Sequence, residues 1–157
     1  MSCVLTQNPG FEAGMTGWYP SENTIAYPAT NTEVAYAGNN FLDIAVTSVA
    51  NEGIVSQNLV GLDTATPHNL TLYVRVDQPI PSVLTCMVST YMESNPEEII
   101  ASDLISHSGE WLRLTRVFTP TQADDVLSIA GSCAFLDDYT FNHIFIDEVV
   151  LSDCDTE

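Results

Sequence analysis

Asn69-Leu70-Thr71-Leu72-Tyr73-Val74-Arg75-Val76-Asp77 alternates polar and apolar side chains without a break. Successive side chains of an extended strand leave opposite faces, so Leu70, Leu72, Val74 and Val76 are expected in a core, with Thr71, Tyr73, Arg75 and Asp77 together on the other face. The same two-residue period recurs on both sides of this segment, in short runs rich in Val, Ile, Thr and aromatic residues. Strands are expected near 3–7, 24–27, 32–36, 41–47, 53–60, 69–77, 83–92, 98–105, 111–119, 126–135 and 141–152. Turn clusters separate them, among them Asn8-Pro9-Gly10, Gly38-Asn39-Asn40 and the stretches 63–67, 78–82 and 120–125. Short strands at this spacing, with no long helical segment, predict an all-β fold, a β-sandwich of the jelly-roll type.

The 157 residues are expected to form one domain over 1–157, long enough to bury its own core. Hydrophobic residues make up 45% and charged residues 15%, which excludes a disordered tail or a coiled coil. Twenty-one Asp and Glu face three basic residues, all arginine, for a net charge of −18. Nucleic acid and anionic membranes are therefore excluded as partners, because both are held by clustered cations. Neutral or cationic ligands and metal ions remain.

No local signature of an enzyme is present. His68, His107 and His143 stand at no metal-ligand spacing, and GxSxG, P-loop and GxGxxG motifs are missing. So many carboxylates would place some pair at glycosidase distance by chance, so they do not argue for hydrolysis. The chain is expected not to be an enzyme. Four widely spaced cysteines without CxxC point to two disulfides in an oxidising compartment. Of the three connectivities, Cys3–Cys154 with Cys86–Cys133 is preferred: the first staples the chain ends, and the second joins two strands of similar character. Met1 is expected to stand in place of a removed signal peptide, which makes the chain a secreted, extracellular segment.

On the strand from Val83, Cys86 and Val88 alternate with Met87, Ser89 and Tyr91. Should Tyr91 lie near Tyr73 and Arg75, one sheet face would carry rings, a guanidinium and carboxylates. Such a face suits a sugar, whose C–H groups stack on rings while planar polar groups take its hydroxyls.

Leu5 to Trp18 reads LTQNPGFEAGMTGW and the last strand reads HIFIDEVVLSDC. Between them come NTEVAYAGNNFLDIAV, VSQNLVGL, HNLTLYVRVD and GEWLRLTRVFTP. In this order the motifs resemble carbohydrate-binding modules of families four, nine and twenty-two, over nearly the whole chain. With its two extra cysteines the chain resembles the secreted fungal-type members most closely. The resemblance implies a galactose-binding-like jelly roll of two antiparallel sheets with a structural calcium near the chain ends. Carried over, Glu12 and Asp147 would bind that ion, Gly10 would offer a carbonyl, and Glu148 stands where the family usually has a second Asp. Calcium accepts such a shell of carboxylate and carbonyl oxygens. Trp18 and Trp111 match core positions of the pattern.

The function expected is non-catalytic binding of a polysaccharide such as β-glucan or xylan by a lectin-like module, possessed alone or attached to a catalytic domain. Tyr73, Arg75, Asp77 and Tyr91 are the expected binding residues, with Tyr19 and the other loop tyrosines Tyr27, Tyr36 and Tyr139 at the rim. A structural or protein-interaction domain on the same fold is the alternative; a jelly-roll lyase or glycosidase ranks below both.

Overall fold

The computed structural model describes residues 3–77, 83–106, 109–135 and 141–154. The expected turn at 78–82, His107 and Tyr139 lie outside them. Ten strands are formed: β1 (Tyr19–Pro20), β2 (Ile25–Thr30), β3 (Asn40–Thr47), β4 (Glu52–Leu59), β5 (His68–Val76), β6 (Val83–Met92), β7 (Ser102–Ile105), β8 (Leu112–Phe118), β9 (Asp125–Phe135) and β10 (Phe141–Ser152). They make two antiparallel five-stranded sheets, in the orders β1-β4-β9-β6-β7 and β2-β3-β10-β5-β8. No helix occurs among the described residues. The fold is all-β, as the alternation at 69–77 requires. Leu70, Leu72, Val74 and Val76 are buried, and Thr71, Tyr73, Arg75 and Asp77 lie half-buried on the outer face.

Three expected strands differ. The 3–7 segment makes only a bridge, Val4 to Ser152, and the strand near 98–105 is confined to β7. Residues 32–36 form a turn. The Asn31 side chain accepts the N–H of Glu33, and the Asn31 carbonyl accepts those of Val34 and Ala35, so local acceptors displace a strand ladder. The Tyr19–Pro20 strand has no alternation to announce it.

The inner faces meet in a close contact. Gly53 and Gly131 oppose each other on β4 and β9, while Ile44 and Ile144 oppose each other on β3 and β10. A Cβ at Gly53 would overlap Cγ2 of Ile44, and one at Gly131 would stand 2.8 Å from Cδ1 of Ile144. Both isoleucines are fully buried. Beside this contact Cys86 and Cys133 pair across β6 and β9 as a disulfide, and buried Asn142 of β10 donates to both sulfurs at 3.2 and 3.6 Å. The second disulfide joins Cys3 to Cys154, so both preferred pairings are formed.

A β-branched side chain has few rotamers with which to evade an added methyl. Gly131→Ala is therefore expected to lower stability by about 1–3 kcal/mol, the usual cost of overpacking. Ile144→Val removes the atom in the way and should recover part of that loss. Equilibrium denaturation of the two single variants and the double variant measures it; simple additivity would show that the two residues do not collide.

Candidate functional site

The register places four residues in one row across the outer face of the first sheet. Tyr19 pairs with Ser56, Ser56 with Ser128, and Ser128 with Tyr91. Directly paired residues share a face, so two rings flank two hydroxyls over three inter-strand steps, roughly 14 Å. Ser56 and Ser128 are 1% and 0% exposed although they point away from the core, because taller neighbours cover them. Their hydroxyls lie 2.8 Å apart, and Ser128 donates to Glu93 at 3.3 Å. Tyr19 donates its phenol to Asn58 at 2.8 Å and remains exposed. The result is a trough with aromatic banks, a floor of covered serines whose hydroxyls are engaged with each other, and an amide and a carboxylate at its sides.

Charge joins the banks. Burial raises the Tyr19 phenol above its ordinary value, and the Glu93 carboxylate adds to the rise. Tyr91 is likewise raised, by burial first and then by Glu52 and Glu93, against a smaller pull downward from its hydrogen bond with Ser128. Such a site disfavours anions and offers acceptors to the hydroxyls of a neutral ligand.

Tyr91 therefore does not share a face with Tyr73 and Arg75, because β6 and β5 belong to different sheets. On the other sheet the ring of Tyr73 is stacked against Tyr36, with centroids 3.6 Å apart, and the Arg75 guanidinium is engaged by Asp77. Tyr36 meets Trp111 edge-on, and the Trp111 indole donates to the Val34 carbonyl at 2.7 Å. The loop around 31–38 thus covers this end of the second sheet. Trp18 is in the core and packs on Phe11; Trp111 is half-buried beneath the loop. Tyr27 shares the second sheet's outer face with Asp43, the residue opposite it on β3, and Asp43 is 2.8 Å from the His143 imidazole. The floor serines and Glu93 were missed; their alternation along β4, β6 and β9 was visible, but which strands are neighbours was not.

The same loop is held by the carboxylates of the expected metal set. Asp147, fully buried, accepts the N–H groups of Tyr36 and Ala37 on one oxygen and that of Glu148 on the other. Glu12 accepts those of Asn39 and Asn40. A bulge in β10 after Asp147 puts Glu148 at φ 49° and re-aims its side chain, so that a Cβ on Gly10 would stand 2.6 Å from its Oε1. Glu148 and Asp147 thus approach Gly10, while the Glu12 carboxylate lies against Gly38. Burial pushes the Asp147 carboxyl up to about 6 against the pull of its N–H donors, with Glu148 adding to the rise. Burial raises Glu148 too, and the like charge of Glu12 adds to it. Asp147 and Glu148 beside Gly10, with Glu12 near enough to act on Glu148, are hard oxygen donors of the kind a divalent cation accepts. Among the described residues, the one group of three possible metal-ligating side chains whose ligand atoms all lie within 4.8 Å of one another is Cys3, Asp153 and Cys154, whose sulfurs are consumed by their disulfide.

The row has a spectroscopic consequence. Glu93→Gln is expected to lower the pKa of both Tyr19 and Tyr91, since the same carboxylate raises each. Absorbance titration of the phenols in single-tyrosine deletion backgrounds checks it; a response from only one ring would break the row.

Comparison with known proteins follows this geometry. The family model described as Carbohydrate binding domain, of types 4 and 9, matches residues 5–130. Among solved structures, TmCBM61 in complex with β-1,4-galactotriose is similar with a TM-score of 0.67 at 15% identity, covering 97% of this chain and 99% of that one. A xylan-binding domain of family 22 is similar with a TM-score of 0.65 at 13% identity, covering 98% and 97%. In a Clostridium thermocellum xylanase 10B structure, family 22 and family 10 glycoside hydrolase modules with xylohexaose, the TM-score is 0.64 at 15% identity; 98% of this chain is covered but only 29% of that one. No curated protein matches. The likeness to fungal-type members is not borne out by these matches. With its two-sheet sandwich and most of its length matched by the model, the chain belongs to the carbohydrate-binding domain family.

Proposed function

We propose that this chain is a non-catalytic, secreted module that binds a neutral polysaccharide along the outer face of the β1-β4-β9-β6-β7 sheet. The row Tyr19–Ser56–Ser128–Tyr91 carries this reading. Tyrosines on either bank would take the C–H faces of sugar rings out of water, while the exposed Asn58 and Glu93 meet their hydroxyls. A β-glucan or a xylan has the required chemistry: uncharged, extended, and carrying hydroxyls on both edges. Two of the similar structures, solved with xylohexaose and with β-1,4-galactotriose, support the ligand class. Two disulfides suit an extracellular setting. The module would serve a catalytic domain, as the xylanase of similar fold pairs the two. Tyr73, Arg75 and Asp77 are left out of the binding set because Tyr36 and the Arg75–Asp77 pair already occupy them.

Calorimetric titration with xylohexaose, mixed-linkage β-glucan oligosaccharides and galactotriose tests the reading. Tyr91→Ala and Tyr19→Ala are each expected to weaken the ligand that binds by about tenfold, roughly 1.4 kcal/mol. No binding to any of these, or binding lost in Tyr73→Ala and kept in Tyr91→Ala, would overturn it.

Calcium is proposed as the structural ion, held by Glu12, Asp147 and Glu148 with the Gly10 carbonyl. When bound it would neutralise the three carboxylates and tie the N-terminal turn to β10. At a hundredfold excess over Kd it is expected to raise Tm by roughly 5–10 °C. Glu12→Gln with Glu148→Gln keeps hydrogen-bond acceptors in place and should abolish that gain. Equal melting in calcium and in chelator would remove the assignment.

A further inference from the structure

The two sheets end side by side at β7 and β8, each an edge strand. Between them runs a groove of about 350 Å³, walled by residues 99–102 and 113–116. It is far larger than the neighbouring depression beside Phe118 and Pro120, whose 20 Å³ admits about one water. The groove contains Arg113 and Arg116, two of the three basic residues of the chain. Alternation along β8 puts them on opposite faces: Arg113 pairs with Tyr73 of the outer face, and Arg116 with Leu70 of the core face. Because β8 has no further strand beyond it, both still border the groove. The third arginine, Arg75, is neutralised by Asp77. Arg113 and Arg116 form no hydrogen bond and no ion pair among the described residues, and both are exposed.

In a chain of net charge −18, two guanidiniums on one groove with no ion pair among the described residues, Arg113 acting only on the Tyr36 phenol, are an exception that calls for a counterpart. A guanidinium presents paired N–H donors that match a carboxylate, and the edge of β8 adds backbone groups that no strand pairs. The overall field repels anions, but at physiological salt it is screened beyond about 8 Å, so the two local cations decide what the groove accepts.

We propose that this groove binds the carboxylate of an acidic sugar, a uronate residue carried on the polysaccharide. The assignment of the ligand as a sugar rests on the carbohydrate-binding reading; the anion preference rests on the arginines alone. The groove opens beside the tyrosine trough: Thr90, next to Tyr91, exchanges hydrogen bonds with Ile100 and Ala101, which line it.

Three arginines give three side-chain Nε–Hε resonances, assignable with Arg→Gln variants. In the full chain titrated with trigalacturonate, the signals of Arg113 and Arg116 are expected to shift saturably while that of Arg75 stays. Arg113→Gln and Arg116→Gln, both at exposed positions, should each weaken trigalacturonate by about tenfold. Neutral galactotriose should leave the two signals unmoved. If they stay still with trigalacturonate, or if sodium sulfate or an acidic peptide at equal ionic strength moves them as strongly, the groove is not a uronate site. Arginine shifts with trigalacturonate alongside failure of every neutral oligosaccharide at Tyr91 would instead sink the trough and leave the groove standing.

Discussion

Ile44 and Ile144 enter the opposing sheet where Gly53 and Gly131 leave their own side chains out, and the spacing of the sandwich depends on that fit. Sheets packed face to face stand about 10 Å apart, a distance set by the side chains between them. At this point a glycine pair faces an isoleucine pair, so the backbones come closer than two full side chains would permit. Two positions along β9 and β10 the same inner faces carry Cys133, bonded to Cys86, and Asn142, which donates to both sulfurs. A covalent cross-link within one sheet is thereby hydrogen-bonded to the other. Central strands β9 and β10 are locked in position by this continuous contact, and each outer face is then free to differ.

They differ in what covers them. Over the second sheet, the turn at 31–38 is folded down by acceptors far away in sequence, Asp147 and Glu12, which take its N–H groups. Buried backbone donors need such partners, and a carboxylate supplies a strong one. Once the turn is down, Tyr36 stacks on Tyr73 and that end of the sheet face is occupied, while Tyr27 and Phe141 stay exposed farther along it. The first sheet has no such cover among the described residues at Tyr19 and Tyr91, so its aromatic banks remain available. Where the carboxylates sit thus determines which end of the second sheet the turn covers.

The same division explains what could be read from the chain. Strand β5 was legible because each of its side chains answers a local question, inward or outward, and the period of two answers it. Residues 32–36 mimic that period, yet their backbone is captured by Asn31 and Asp147, one four residues or less away and the other over a hundred. The pairing of Tyr91 with Tyr73 failed for a different reason. Strands β5 and β6 are consecutive, but the chain crosses to the other sheet between them, and alternation says nothing about which sheet a strand joins. Ser56 and Ser128 become a floor only when β4 and β9 are known to be neighbours. Glu148 reaches Gly10 through a bulge with a left-handed Glu, a conformation that residue type does not announce. The disulfides were readable because cysteine carries its pairing chemistry in its identity.

Charge gives the two ligand-facing regions opposite characters at short range. The trough holds Glu93 and, near Tyr91, Glu52, and no cation; the groove one step beyond β6 holds Arg113 and Arg116. A wholly neutral chain gains nothing from the arginines, and a uniformly acidic one is repelled by the trough. A neutral backbone with sparse acidic branches would satisfy both, because its uncharged rings would lie between the tyrosines while a branch would reach across β7 to the guanidiniums. Two weak contacts on one polymer act at a high effective concentration, so neither need be strong.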